Sequence, residues 1–318
     1  AGGTRNDISV SIPTSATLYI STDVSGAASP WTPIAGTGAI LSQVYSAAFN
    51  GRVWIAAGVP AIDSGSTSTL MRTTDPTGAA GWQGIATTNA SISGFDTAAR
   101  SITWNADQQM WIATGENTAT AGSGAAVDAS FSSVIYSLDV SGSAGTWRTV
   151  RESNSTCFSG QGNGIAFSGR KWFAVGEGTN QIVATTDVSA NTAFGTGAAA
   201  TWSSIGNANT ALPVRGTDIA FTGRNLVATG VGSGSSSGVV ISTDPTGASW
   251  STAAAAGFTD SAGGGTSITF EPTYDGTGRL VATGKSATNS ITVSSDGGAT
   301  WNTSATTPAT GVQLSSQR

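Results

Sequence analysis

Three carboxylates occupy positions from which this chain could do chemistry. Glu116 and Glu177 each follow a short apolar run ending in Gly, residues 110–115 in one case and 172–176 in the other. They therefore hold the same place in two successive copies of one pattern; other copies put Val59, Val231 and Lys285 there. Asp218 opens a strand-like run where sister runs have Ser46, Ser101, Gly164 and Ser267. Glycoside cleavage needs one carboxylic acid and one carboxylate acting as base or nucleophile. Glu116, Glu177 and Asp218 are thus the candidate catalytic residues of a glycoside hydrolase. Solvated loop charges explain the two glutamates equally well.

Composition narrows the field. The 318 residues include no His and one Cys, Cys157. The commonest general base and transition-metal ligand is missing, as are an internal disulfide and a Cys–His nucleophile. Thirteen basic residues against 18 acidic give a net charge of −5. With no basic stripe to neutralise phosphates, nucleic acid is not an expected partner. No apolar run is long enough to cross a bilayer as a helix, so membrane insertion is not expected. Neither a metal nor a cofactor is expected. The chain begins Ala1-Gly-Gly-Thr-Arg5, which is read either as loss of an initiator Met before a small residue, the reading that needs fewer assumptions, or as removal of a longer leader.

The elements that would position these groups follow from two repeated phrases. Residues 291–301 read as a strand, a tight Asp-Gly-Gly turn, and a Trp that opens the next strand. Looser versions end at Trp31, Trp82, Trp147, Trp202 and Trp250, with Trp301 closing the last. Their aspartates are Asp23, Asp75, Asp139, Asp187, Asp244 and Asp296, spaced between 48 and 64 residues apart. That period is too long for most helical repeats and suits a four-stranded sheet unit.

The second phrase lies between the first. It occurs at residues 47–58, 102–115, 165–176, 219–230 and 268–284. Each copy is a short strand ending in Phe or Trp, a turn, and an alternating apolar strand ending in Gly, a hairpin pattern. The unit is strand A (to the Phe or Trp), strand B (to the Gly), strand C (to the Asp) and strand D (from the Trp). All ten tryptophans fall at repeat positions, as expected of aromatics packed between sheets. Segments 8–13, 17–23 and 31–36 offer three more strands, and 311–317 a fourth. The expected fold is all-β, a six-bladed β-propeller of four-stranded antiparallel blades, one domain over residues 1–318. Its last blade is closed by both termini, which hides the sheet edges.

The Ser/Thr-x-Asp-x-Gly-x-Thr/Ser-Trp phrase resembles the Asp-box, or bacterial neuraminidase repeat, of sialidase-type β-propellers. Similar boxes occur in xyloglucanases, sortilin-type receptors and photosystem assembly factors. The resemblance covers nearly the whole chain as repeats and implies a hairpin, not an activity. It implies that the Asp accepts backbone N–H groups of the turn, that Gly takes positive φ, and that Trp covers the hairpin. The six aspartates and six tryptophans are therefore expected to be structural. A sialidase would also need an arginine triad and a Tyr–Glu nucleophile pair. Here Ser11 stands before Ile12-Pro13 where the family has Arg, and no converging Tyr–Glu–Arg set is present.

In a blade of this order the B–C and D–A loops share one end and the A–B and C–D turns the other. The first end would carry Glu116 and Glu177 with Arg151, Glu152, Arg215, Asp63, Asp96, Asp128 and Asp260. It would also carry isolated aromatics, Phe95, Phe158 and Phe258, each 7 to 10 residues ahead of a strand A. Long loops rich in Ser, Gly, Ala and Thr resemble adaptable binding surfaces more than tuned catalytic clefts. Phe95, Phe158, Phe258, Arg151, Glu152 and Arg215 are the candidate binding residues. Rings folded inward to plug the loop bases are the plainer expectation for the phenylalanines. The preferred reading is a non-enzymatic binding or assembly module for a protein or glycan partner, extracellular or within a virion. A glycoside hydrolase and a multivalent lectin are the alternatives.

Overall fold

The computed structural model describes residues 16–20, 32–77, 81–86, 88–89, 92–93, 95–116, 133–150, 158, 160–178, 180–186, 188, 202–205, 212, 214–231, 238–253, 258, 264–271, 278–285 and 291–303. The chain forms two compact units, residues 1–151 and 152–318.

The repeat unit is a four-stranded antiparallel blade in which strands A to D pair in sequence order. The first unit holds two blades. Blade 1 comprises Leu41–Phe49, Trp54–Pro60, Leu70–Thr73 and Gln83–Ile85. Blade 2 comprises Ala98–Asn105, Met110–Glu116, Val134–Ser137 and Arg148–Thr149. The second unit holds three. Blade 3 is Gly162–Phe167, Trp172–Gly176, Ile182–Thr185 and Ser203–Ser204. Blade 4 is Arg215–Phe221, Leu226–Val231, Val239–Ser242 and Ser251–Thr252. Blade 5 is Gly264–Glu271, Arg279–Lys285, Ile291–Ser294 and Asn302–Thr303. No α-helix occurs among the described residues.

The fold is all-β with propeller-type blades, but the described residues form five blades, not the expected six. The aspartate phrase counts C–D hairpins, whereas a blade also needs an A–B hairpin, and that phrase occurs only five times. Of the expected N-terminal blade, the described residues show a two-stranded ribbon, Tyr19–Ile20 against Thr32–Pro33. It packs through Leu18 and Ile34 against Leu41, Met71 and Trp82 of blade 1. Segments 8–13 and 311–317, expected to close the last blade, lie outside the described residues.

Every strand A carries a bulge opposite the end of strand B. The register skips at Tyr45, Arg100, Asn163, Thr217 and Thr266, and blade 1 skips a second time at Ser42. The partner is the Gly that ends the strand-B phrase: Gly58, Gly115, Gly176, Gly230 or Gly284. A Cβ at any of these would collide with a strand-A carbonyl oxygen, from Gln43, Ala98, Gln161, Arg215 or Gly264 respectively. The turn glycines have a second role. A Cβ on Gly142 would strike Ile55, one on Gly247 would strike Phe173, and one on Gly298 would meet Val227 at 2.8 Å. In each case the blocking side chain lies on strand B of the preceding blade. Around these approaches sit the seam cores. Blades 1 and 2 share Ile55, Leu70, Ile102, Trp111, Ile135 and Trp147. Blades 3 and 4 share Phe173, Ile182, Ile219, Leu226 and Trp250. Blades 4 and 5 share Val227, Ile241, Ile268, Leu280 and Trp301.

Gly115→Ala is expected to cost about 1–3 kcal/mol, because Cβ meets both backbone and the Phe95 ring and neither can yield cheaply. Gly51→Ala, at φ +92° in open space, is expected to cost only the left-handed backbone penalty, about 1–2 kcal/mol. Trp301→Ala is expected to cost about 3–5 kcal/mol. Denaturant unfolding of the three variants checks the order.

Candidate functional site

The aspartate turns are built alike wherever they are described. The last hydroxyl of strand C accepts the N–H of the Asp two residues on: Thr73 from Asp75 (3.0 Å), Ser137 from Asp139 (3.2 Å), Ser242 from Asp244 (3.3 Å) and Ser294 from Asp296 (3.4 Å). The carboxylate accepts both the N–H and the hydroxyl of one later residue, Thr77, Ser141, Thr246 or Thr300. The Trp indole then donates to the turn: Trp147 to Gly142 O (3.3 Å), Trp250 to Gly247 O (3.2 Å), Trp301 to Gly298 O (2.9 Å). Trp82 and Trp202 are buried too. Asp23, Trp31 and Asp187 lie outside the described residues.

These hydrogen bonds act on the titrations. Partial burial pushes the Asp139 and Asp296 carboxyls up, but the hydroxyl and N–H donors outweigh it. Asp139 falls well below the usual carboxylate range and Asp296 is lowered to about 2. Asp244 is lowered by the hydroxyl and N–H of Thr246, with a smaller contribution from the charge of Lys171.

Each candidate catalytic carboxylate is engaged. Glu116 lies 2.7 Å from Arg100 Nη2, and the Arg100 guanidinium lies 4.7 Å from the centre of the Tyr45 ring. Arg100 is the bulge residue of blade 2, so the bulge turns it toward Glu116 at the end of strand B. Glu177 faces Arg215 at 3.8 Å, where the backbones of the two residues also form an isolated antiparallel bridge. Asp218 does not present a free carboxylate. Its Oδ2 accepts Ser267 Oγ (2.7 Å) and Ile268 N (3.0 Å) from blade 5, and its Oδ1 accepts Ile219 N (2.9 Å). Ser46 makes the same seam contact to Ile102 in blades 1 and 2.

Among the candidate binding residues, Phe95, Phe158 and Phe258 are buried. Their rings cover Gly115, Gly176 and Gly284, the strand-B glycines, and Leu212 covers Gly230 in blade 4. Arg215 is half-buried against Glu177. Arg151, Glu152, Asp128 and Asp260 lie outside the described residues, and Asp63 and Asp96 are exposed. No cluster of three or more potential metal ligands occurs among the described residues, and no described helix is long and apolar enough to cross a membrane.

Two further features lie at the turn end of the blades. One is a row of aromatics ending strand A. Phe49 stacks on Trp54 (4.7 Å), Trp104 tilts on Trp111 (5.0 Å) and Phe167 on Trp172 (4.9 Å). Phe49 is 45% exposed. The other is a cleft of about 330 Å³ in the second unit, between strands C and D of blade 3 and the aspartate turn of blade 4.

No family model matches the chain and no curated protein matches it. Solved structures do, and they are β-propeller proteins. The extracellular domain of a hybrid two-component system from B. thetaiotaomicron is 12% identical with a TM-score of 0.50, covering 80% of this chain and 30% of its own. A protein from Lactobacillus plantarum is 11% identical at 0.50, covering 85% and 71%. The GH74 enzyme of Niastella koreensis is 16% identical at 0.45, covering 83% and 31%. This chain thus spans about a third of the length of the Niastella enzyme. The likeness is one of fold.

Folded values of Asp139, Asp244 and Asp296 lie below the unfolded carboxylate value of about 3.9, so their ionised forms are favoured by folding. That stabilisation is complete above the unfolded value and is lost as pH falls toward about 2. The melting temperature is expected to drop between about pH 5 and about pH 2, and the drop is expected to be shallower in Asp296→Asn. Thermal melts across that range check it.

Proposed function

We infer that the chain is a non-enzymatic binding or assembly module whose aspartate turns are Asp-boxes of the bacterial neuraminidase type. One observation carries the reading: Glu116, Glu177 and Asp218 are each held by a partner inside the protein, Arg100, Arg215 and the Ser267–Ile268 segment. A general acid needs a raised pKa in a cleft, and a nucleophile or base needs a carboxylate open to substrate. Asp218 instead accepts three hydrogen bonds across a blade seam, and Glu116 lies against a guanidinium. The carboxylates of the box turns are likewise committed to backbone and hydroxyl donors. A described surface carrying many hydroxyls and small residues, with scattered charges of both signs, suits recognition of a protein or glycan, in an extracellular or virion setting.

Incubation of the intact protein with a broad glycan panel is expected to give no cleavage, and a glycan array with parallel pull-down is expected to give a bound partner. Asp218→Asn is expected to lower stability by about 1–2 kcal/mol, because the seam loses a charged acceptor. Cleavage of any glycan that Glu116→Gln or Asp218→Asn abolishes at unchanged melting temperature would sink the reading.

A further inference from the structure

The cleft at the seam of blades 3 and 4 is assigned no role by the fold. Its lining is uneven in chemistry. Ala184, Ile205 and Gly247 line the cleft beside the hydroxyl residues Thr186, Ser203, Ser204 and Thr246 and one basic residue, Lys171. Ser203 pairs with Ala184 through its backbone, while the side chains of Thr186, Ser203 and Lys171 make no hydrogen bond among the described residues. The charge of Lys171 acts on Asp244, whose two oxygens each accept a hydrogen bond from Thr246.

Lys171 is placed by the A–B turn of blade 3. Ser168 closes that turn: its N–H and its hydroxyl both donate to Lys171 O, its Oγ accepts the Lys171 N–H, and Gly169 takes φ +81°. The equivalent residue of blade 4, Asn225, points to the turn of the next blade and donates to Gly297 O at 2.9 Å. Lys171 occupies the equivalent position of blade 3, and there it lines the cleft beside the blade-4 turn. Arg170 and Arg224, at the tips of the adjacent A–B turns, are exposed. Three cations thus gather at one end of two neighbouring blades in a chain of net charge −5.

We propose that this cleft binds a carboxylated saccharide, with Lys171 pairing the carboxylate and the hydroxyls of Thr186, Ser203 and Ser204 facing the sugar hydroxyls. The reading rests on the binding-module function and names its ligand class. Three features select the ligand. A volume of about 330 Å³ is at the small end of ligand pockets and suits one or two sugar rings. Lining hydroxyls match a polyhydroxylated ligand, each group able to donate and accept. The cation surplus favours an anion over a neutral sugar, and a lone ammonium acts as a point charge rather than a bidentate fork.

The test is calorimetric titration of the full chain with tri-galacturonate, sialyllactose and a hyaluronan tetrasaccharide, with neutral galactotriose and inorganic phosphate as controls. At least one carboxylated saccharide is expected to bind at least about tenfold more tightly than galactotriose, and affinity is expected to fall as salt rises from about 50 to about 500 mM. Lys171→Gln is expected to weaken that binding about tenfold at unchanged melting temperature, while Arg52→Gln in blade 1 leaves it intact. Amide shifts on titration are expected at Thr186, Ser203 and residues 246–248, an observation on the unaltered protein that stands even if Lys171→Gln fails to fold. No binding by any of the three acids, equal binding of galactotriose, or phosphate matching the saccharides would overturn the proposal. So would shifts elsewhere. A partner on the array that Lys171→Gln still binds would remove this cleft and leave the binding-module function standing.

Discussion

At the end of every second strand a glycine passes so close to a carbonyl of the first strand that a Cβ would collide with it. The bulge opposite that glycine is the other side of the same constraint: one extra residue lets strand A bend and brings its carbonyl in. Most else in a blade follows from this approach. The bulge residue is pushed out of the ladder toward a neighbour, where Asn163 donates to Gly216 O (2.8 Å) and Thr217 donates to Gly265 O (2.6 Å). The bare face of the glycine is covered by Phe95, Phe158, Leu212 or Phe258. The same geometry turns Arg100 to Glu116.

The turns at the opposite end solve a related problem. A two-residue strand D exposes most of its length, so a hairpin held by its ladder alone would fray. The Asp carboxylate, the strand-C hydroxyl and the indole N–H close it with charge-assisted and neutral hydrogen bonds inside a few residues. The turn is then tied sideways. Asn50 Nδ2 donates to Val140 O (2.8 Å), Arg72 Nη1 to Ser141 O (2.8 Å) and Asn225 Nδ2 to Gly297 O (2.9 Å), each from the preceding blade. These polar groups of the repeat therefore serve the seams, and side chains are released from that duty where the pattern is broken. Lys171, standing where Asn225 makes a seam bond, is such a place.

Local periodicity made much of this legible. The strand-B glycines, the A–B aromatics, the Asp turns and the burial of the tryptophans could all be read from residues within one hairpin, because their hydrogen bonds close within a few positions. The blade number could not. Six aspartate phrases suggest six blades, yet the phrase reports only a C–D hairpin, and a two-stranded ribbon at Tyr19–Ile20 and Thr32–Pro33 is what the described residues show for the first. Phe95, Phe158 and Phe258 stand as isolated aromatics in loops, and nothing nearby reveals that each caps a glycine some 18 to 26 residues further on.

The sequence by itself determined the strand repeat, the turn chemistry and the absence of histidine and of clustered cysteine, since these depend on residue types and short spacings. Tertiary structure alone decided which carboxylates stay available. Arg100 reaches Glu116 across a bulge, Arg215 reaches Glu177 from the next blade, and Asp218 meets Ser267 and Ile268 nearly 50 residues away. Such partners are chosen by how neighbouring blades are set against each other, a spacing that the alternation of apolar and polar residues along one strand does not encode.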